Sequence, residues 1–385
     1  MVGLEYTALY AVYQKGAEME LTKELMEVLE CYGFSGRLTN VERYGNGHIN
    51  DTFLLELSDP QEKVILQKIN GKIFPNAEEL MENITRVTDW IADKIRQEGE
   101  EPARRVLHII RTKEGSTYYR TVEGSAYRAY MFIENGLCLE QPRKPEDFYE
   151  SGMAFGGFQG YLADFPAEKL HETIPDFHNT LWRFGNLKKA VEEDICGRAA
   201  VVKDEIEYAF SKENMVIDCF GQKEAKNIPL RVTHNDTKLN NAMLDAATEK
   251  ALCVLDLDTV MPGYAMDDFG DSIRFGTNTA VEDEKDLSKV SCDLELFKAY
   301  TEGFIKGTEG RLTEDEITLF PLGAKMMTYE CGIRFLTDYL QGDVYFKTAY
   351  PEHNLVRARN QFALLKDMDA KTKQMDAIIC ECMGK

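Results

Sequence analysis

Apolar positions along the chain change their period once, and that change divides the sequence into two parts. From about Glu18 to Tyr32, Leu21, Leu25, Met26, Val28 and Leu29 recur at helical spacing and stop at Gly33. Arg37 to Leu57 then alternates as two strands around Tyr44-Gly45-Asn46-Gly47-His48-Ile49-Asn50-Asp51, and Lys63 to Asn70 reads as a third. Pro75 to Gln97 carries Leu80, Ile84, Val87, Ile91 and Ile95 on one stripe with proline at its start, a long helix. Strands at Ala103 to Arg111, Thr117 to Val122 and Ser125 to Glu134 complete an antiparallel sheet of about five strands. From Lys144 the pattern is helical: Glu146 to Ala163, a segment holding Leu170 and Phe177-His178, Leu187 to Lys212, and Asp283 to the end. The change falls across residues 134 to 146, which predicts an α+β chain with an N-terminal domain over 1–135 and a helical domain over 136–385.

One stretch of the helical part does not fit the helical period. Leu230 and Val232 open His234-Asn235-Asp236-Thr237-Lys238-Leu239-Asn240-Asn241, which puts an Asp, a Lys and an Asn on one loop, the Asp and Asn five residues apart. Ala251 to Asp258 then reads as a short buried strand with carboxylates at 256 and 258, which alternation would turn to the same face. Two charges there cost free energy unless compensated, and a divalent cation is the natural compensator. An Asp on a loop, a nearby amide and a strand-end carboxylate are the parts that phosphoryl transfer needs: one group to orient or deprotonate a hydroxyl, two to hold magnesium.

Composition narrows the partners. The 385 residues are 44% apolar and 29% charged, an ordinary globular balance, and a net charge of −21 disfavours nucleic acid or an anionic membrane. Nine scattered cysteines without a Cys-x-x-Cys pair favour a reducing compartment, and Cys380-x-Cys382 reads as incidental. No signal peptide and no membrane-length apolar run is visible, so a soluble, cytoplasmic protein with a small-molecule partner is expected; oligomeric state is not legible.

His234-x-Asp236-x4-Asn241, followed by Asp256, Gly263 and Asp268, resembles the catalytic apparatus of the aminoglycoside phosphotransferase and choline kinase branch of the protein-kinase superfamily. The wording THNDTKLNN, LDLDTVMPG and DFGDSIRFG is most similar to the N-acetylhexosamine 1-kinases. The resemblance implies a two-lobe kinase-like fold and ATP with Mg²⁺ as cofactors. It implies transfer of phosphate to the anomeric hydroxyl of GlcNAc or GalNAc. Asp268-Phe269-Gly270 spells the protein-kinase metal motif but lies 32 residues after Asp236, whereas Asp256 lies 20 after, the interval of the superfamily's metal aspartate. Asp256 with Asn241 is therefore read as the metal pair, and Asp268 as an anchor for the loop.

On the same resemblance, Asp236 is the catalytic carboxylate, and Lys238 either neutralises the transferring phosphoryl group or is a solvated loop lysine. His234 shapes the loop. Gly45 and Gly47 form a phosphate-covering hairpin, although a plain β-turn explains them alone as well. The strand lysine of the superfamily falls on Gln67, with Lys68 beside it on the opposite face, and the sequence does not decide between them. Glu78, Glu79 or Glu82 would face that lysine, or simply favour their helix N-terminus. Tyr130 to Gly136 would form the hinge whose backbone, at Phe132 and Glu134, binds adenine. His48, Asp258, Arg334 and Tyr345 would hold the sugar; alternatively Arg334 pairs with Glu330 one helical turn away and Tyr345 is core. Two other readings stand beside this one: a kinase of the same superfamily acting on an aminoglycoside, choline or homoserine, and a non-catalytic kinase-like binding protein.

Overall fold

The computed structural model describes residues 22–45 and 50–385 and divides into two units. One runs to Asn135 and includes Leu170–Ile174; the other comprises Gly136–Lys169 and Pro175–Lys385.

The smaller unit is an antiparallel sheet with two helices. Helix α1 (Lys23–Cys31) begins where the Thr22 hydroxyl accepts from the Leu25 amide at 3.1 Å, and buries Leu25, Val28 and Leu29. The part of the expected helix before Thr22 lies outside the described residues. Strands β1 (Arg37–Arg43), β2 (Asp51–Ser58) and β3 (Glu62–Ile69) form a meander. β3 pairs with β6 (Ala126–Met131), which also pairs with the two-residue strands β4 (Ile109–Ile110) and β5 (Tyr119–Arg120). The sheet thus has six strands in the order β1-β2-β3-β6-β4, with β5 also on β6. The three later strands are shorter than their alternation suggested; Pro102–Arg104 is a single 3₁₀ turn. Alternation along β3 decides the faces. Val64 and Leu66 join Leu25, Val28, Tyr127 and Ala129 in one core, so Gln67 points to the other face. Helix α2 (Ala77–Gln97) is capped by Asn76 and buries Leu80, Ile84, Val87, Ile91 and Ile95, the expected stripe.

The larger unit is mainly helical. Its helices are α3 (Pro145–Tyr161), α4 (Thr180–Glu193), α5 (Lys203–Ser211), α6 (Glu213–Ala225), α7 (Ala265–Gly276), α8 (Leu294–Gly307), α9 (Glu314–Thr318), α10 (Phe320–Leu340), α11 (His353–Ala370) and α12 (Thr372–Cys382). The single helix expected over 187–212 is two: α4 stops because Asp194 turns left-handed (φ 35°), and its carboxylate caps the Ala199 amide at 2.9 Å. Two small sheets sit among the helices. β7 (Gly136–Leu137) pairs with β9 (Ala242–Asp245), β9 with β10 (Ala251–Val254), and β8 (Arg231–Thr233) with β11 (Met261–Gly263).

Phe269 of α7 anchors the core, stacked on Phe320 with ring centroids 4.2 Å apart and surrounded edge-on by Phe297, Tyr300 and Phe304. Each such fully buried ring contributes about 1.5–3 kcal/mol. Helices α7 and α10 cross closely because Gly270 faces Gly323; a Cβ on Gly270 would lie 2.3 Å from the Gly323 carbonyl oxygen. That crossing fixes α7, and α7 carries the carboxylates that hold the loop between β8 and β9.

Candidate active site

The 234–241 loop leaves β8 and is tied on every side by buried groups. Asp268 Oδ2 accepts from the His234 amide at 2.9 Å and from Gln159 Nε2 at 2.7 Å, while Oδ1 accepts from the Asn235 amide at 2.7 Å. Asp271, one turn on, accepts from the Thr237 amide at 3.1 Å and pairs with Arg274 at 3.0 Å. Burial pushes the Asp268 carboxyl upward, whereas at Asp271 the same burial is outweighed by Arg274 and its pKa falls. The Ser272 hydroxyl donates to the Thr237 carbonyl at 2.7 Å and itself accepts from Tyr300 at 2.6 Å. The Asp-Phe-Gly run therefore lies inside a helix and does the anchoring expected of Asp268; Asp271 and Ser272 extend that hold in a way the sequence did not signal.

Held this way, the loop presents Asp236. Its Oδ1 meets Lys238 Nζ at 2.8 Å, and Asn241 Nδ2 donates to its carbonyl at 2.9 Å and, more weakly, to Oδ2 at 3.4 Å. Lys238 is thus paired with Asp236. Burial favours loss of its proton, but the Asp236 carboxylate overrides this and raises the ammonium's pKa. His234 is fully buried, with Nε2 2.7 Å from the Leu255 carbonyl, a position that shapes the loop.

Asp256 and Asp258 require a correction. β10 ends at Val254, Asp256 is left-handed (φ 55°, ψ 61°), and Leu257–Thr259 is a 3₁₀ turn, so strand alternation does not relate the two carboxylates. Apolar Leu255 and Leu257 prolong the strand pattern past the point where the backbone turns, and Asp is one of the few residues that tolerates this conformation. Asp258 is buried within the 3₁₀ turn. The Leu255 amide donates to the Asn241 carbonyl at 2.8 Å, which ties the segment bearing Asp256 to the end of the loop. Asn241 commits its NH₂ to Asp236, so its amide oxygen is the atom it can offer a cation. One amide oxygen and one carboxylate fit Mg²⁺, which binds through few protein ligands and completes its shell with phosphate and water.

In the smaller unit, Gly45 is left-handed (φ 73°), and Gly47 and His48 lie outside the described residues. Lys68 is held at 3.0 Å by both carboxylate oxygens of Glu24 and lies over Tyr127. On the other face, Gln67 Oε1 accepts from Arg128 Nε and Nη2 at 3.1 and 2.9 Å and from the Tyr130 hydroxyl, while its amide donates to Thr52 at 3.0 Å. The two residues thus belong to different networks. The Glu82 carboxylate binds Arg86 and His171, so it is not offered to a strand lysine, while the backbone amides of Glu78 and Glu79 donate to the Asn76 cap. The Phe132 amide donates to the Lys63 carbonyl at 3.0 Å, and the Glu134 carbonyl accepts from Arg104 at 2.9 Å.

Arg334 and Tyr345 come together in the larger unit. The Arg334 guanidinium lies 5.5 to 5.9 Å from the ring centres of Phe177, Tyr345 and Phe346. It forms no ion pair with Glu330, whose oxygens instead meet His178 Nδ1 at 2.8 Å and the Thr180 hydroxyl at 2.7 Å. Tyr345 is 64% exposed and so is not core. It sits on a loop gathered by Asp338, which accepts from the amides of Val344, Tyr345 and Phe346 at 2.9, 2.8 and 2.9 Å. His178 Nε2 lies 3.2 Å from the Asn235 carbonyl, which links this cluster to the loop of Asp236. The His178–Glu330 pair joins residues 152 apart, so no local pattern announced it.

Solved structures with the same arrangement of an antiparallel N-terminal sheet and a helical C-terminal part include an aminoglycoside phosphotransferase from Alicyclobacillus acidocaldarius (TM-score 0.55, 10% identity, 96% of this chain and 97% of that one). A choline kinase from Cryptosporidium parvum matches with a TM-score of 0.51 and 13% identity over 87% of this chain and 90% of that one. A spectinomycin phosphotransferase, solved with ADP and spectinomycin, matches with a TM-score of 0.52 and 11% identity over 91% and 98%. At such identities the likeness is one of fold, and it makes the kinase-like α+β architecture expected from the sequence the observed one. No helix among the described residues is long and apolar enough to cross a membrane. The profile of the phosphotransferase enzyme family matches residues 40–297, well over half of the sequence, and the chain belongs to that family.

Proposed function

We propose that this phosphotransferase transfers the γ-phosphate of ATP to the anomeric hydroxyl of an N-acetylhexosamine, giving the sugar 1-phosphate and ADP. The observation that carries the reading is the setting of Asp236: a carboxylate on a loop fixed by Asp268 and Asp271, bridged to Lys238 and to Asn241, with Asp256 joined to the same loop through Leu255. ATP as donor is in keeping with the ADP bound by the spectinomycin phosphotransferase.

In this reading the unit ending at Asn135 handles the nucleotide, with Gly45, Gly47 and Gln67 near the phosphates and Phe132 to Glu134 at adenine. The larger unit carries the chemistry. Asp236 accepts the hydroxyl proton as the oxygen bonds to the γ-phosphorus and the bond to the ADP oxygen breaks. Lys238 holds that carboxylate in place and offers its charge to the phosphoryl oxygens. Asn241 and Asp256 would hold Mg²⁺, which would supply positive charge against the phosphates. Asp258, Arg334, Tyr345 and His48 orient the sugar. Lys68, committed to Glu24 on the opposite face, has no part in the site.

Incubation with Mg-ATP and a panel of free sugars, followed by phosphorus and proton NMR, tests this. A 1-phosphate of GlcNAc or GalNAc is expected. Phosphorylation at another hydroxyl, or of an aminoglycoside or choline instead, overturns the substrate assignment and leaves the phosphotransferase class intact.

A further inference from the structure

Two imidazoles grip the peptide that joins Asn235 to Asp236, and their partners require different charges of them. His234 has Nε2 2.7 Å from the Leu255 carbonyl and Nδ1 3.3 Å from the Asp236 amide, so one nitrogen donates, the other accepts, and a neutral ring satisfies both. His178 faces two acceptors instead. Its Nδ1 lies 2.8 Å from Glu330 Oε1 and its Nε2 3.2 Å from the Asn235 carbonyl. Glu330 meets the ring as a carboxylate: its other oxygen accepts from the Thr180 hydroxyl at 2.7 Å, and His178 and Arg334 hold its pKa low against the effect of burial. Neither partner has a proton to give, so both ring nitrogens carry hydrogen, which only the imidazolium does. The charged groups around the pair are Glu330 and Arg334 of α10, Asp267 and Asp271 of α7, Lys223 of α6 and Arg183 of α4. On the loop itself Asp236 and Lys238 pair with each other at 2.8 Å. Burial works against charge on His178, but Glu330, Asp267 and Asp271 outweigh it and raise the imidazole's pKa to about 9.

Loss of that proton breaks one of the two bonds. The remaining hydrogen stays on Nδ1, because a bond to a carboxylate is roughly twice as strong as one to a neutral carbonyl, and Nε2 then turns a lone pair on the Asn235 carbonyl. Asn235 is left-handed (φ 64°), with its amide fixed by Asp268 at 2.7 Å and its side chain by the Thr259 carbonyl at 2.8 Å. What His178 governs is therefore the plane of the following peptide, which leads directly into Asp236. We propose that His178, as an imidazolium held by Glu330, is a positioning residue for Asp236, and that loss of its proton sets the alkaline limit of phosphoryl transfer. This rests on the reading of Asp236 as the carboxylate that receives the acceptor's proton. Lys238 does not titrate in the same range, since Asp236, against burial, holds its pKa above the ordinary lysine value.

The test joins imidazole NMR to kinetics on the full chain. With isotope-labelled histidine, the His178 signals at neutral pH should show both nitrogens protonated, and the Asp236 backbone amide should move with the same midpoint as the ring. ADP release from Mg-ATP with GlcNAc should give a kcat that falls as pH rises through about 9, while KM for ATP stays nearly constant. Glu330→Gln removes the carboxylate that sustains the charge and should lower both midpoints by about one pH unit or more, a tenfold loss of proton affinity. His178→Gln, whose amide donates at any pH, should reduce kcat and flatten its alkaline limb. A singly protonated ring at neutral pH, an Asp236 amide indifferent to the ring's titration, or an alkaline limit that neither variant shifts overturns the inference. The wild-type spectra decide even if a variant fails to fold. A charged ring that the Asp236 amide follows, without any turnover of GlcNAc, would refute the sugar assignment and uphold His178 as the group that orients this peptide, so the two fail separately.

Discussion

Asp236 shares its carboxylate with Lys238 at 2.8 Å, so replacing either residue perturbs the other. Asp236→Asn should lower kcat by about 10²–10⁴-fold, the range for loss of a positioned acid or base, with nucleotide affinity retained by calorimetry. A pH effect belongs to His178. Its folded pKa, near 9, lies above the ordinary histidine value, so its stabilising contribution is complete below about pH 6.5 and is lost as pH rises through 9. Glu330 has the opposite sign: its pKa is held below the usual carboxylate range, so its share is present above that range and disappears on acidification. Denaturant titrations between pH 7 and 9 should show stability falling by up to about 1.4 kcal/mol per pH unit from this group, a slope that His178→Gln removes. An unchanged slope in the variant would mean that the imidazole is not charged in the folded chain. Asp236, Lys238 and Asn241 were legible as one motif because they share a loop. His178 was not, because its partner Glu330 lies on α10 and sequence distance hides the pairing.

At the level of elements, the loop is positioned by α7, and α7 by its close crossing with α10. Gly270→Ala should destabilise the chain by about 1–3 kcal/mol in chemical denaturation, because the added methyl meets the backbone of Gly323, and activity should fall with it as Asp268 shifts. The same change at Gly185 in α4, where a Cβ meets nothing within 4 Å, should instead stabilise by about 0.5–1 kcal/mol. Measuring both separates a packing requirement from helix propensity. Long amphipathic elements such as α2 were legible in the apolar period, since one face is buried along its whole length. Shorter breaks were not. The apolar residues continue through Asp194 and through Asp256, and only the left-handed backbone at each shows where helix α4 and strand β10 stop.

For the whole molecule, a net charge of −21 sets a field that opposes anionic ligands at long range. Association of a fluorescent ATP analogue in stopped flow should therefore quicken as salt rises from 20 to 200 mM, a range over which the screening length falls below about 10 Å. A rate that slows with salt would place a dominant basic surface around the entry path. The change from strand period to helix period was enough to read the fold class, because it reports burial, which composition and topology share. The acceptor was not legible to the same degree, since the side chains proposed to meet it come from α10 and the segment after it, far in sequence from the loop of Asp236. One feature of that segment bears on how such a frame could change its preferences. Asp338 holds residues 344–346 through their main-chain amides, and Phe346 packs on Phe335, so the exposed side chains at 344 and 345 can be exchanged in descent without loosening the arch that displays them. An inherited scaffold of this kind can acquire a different rim by substitution at a few outward positions, while the buried carboxylate beneath stays as it was.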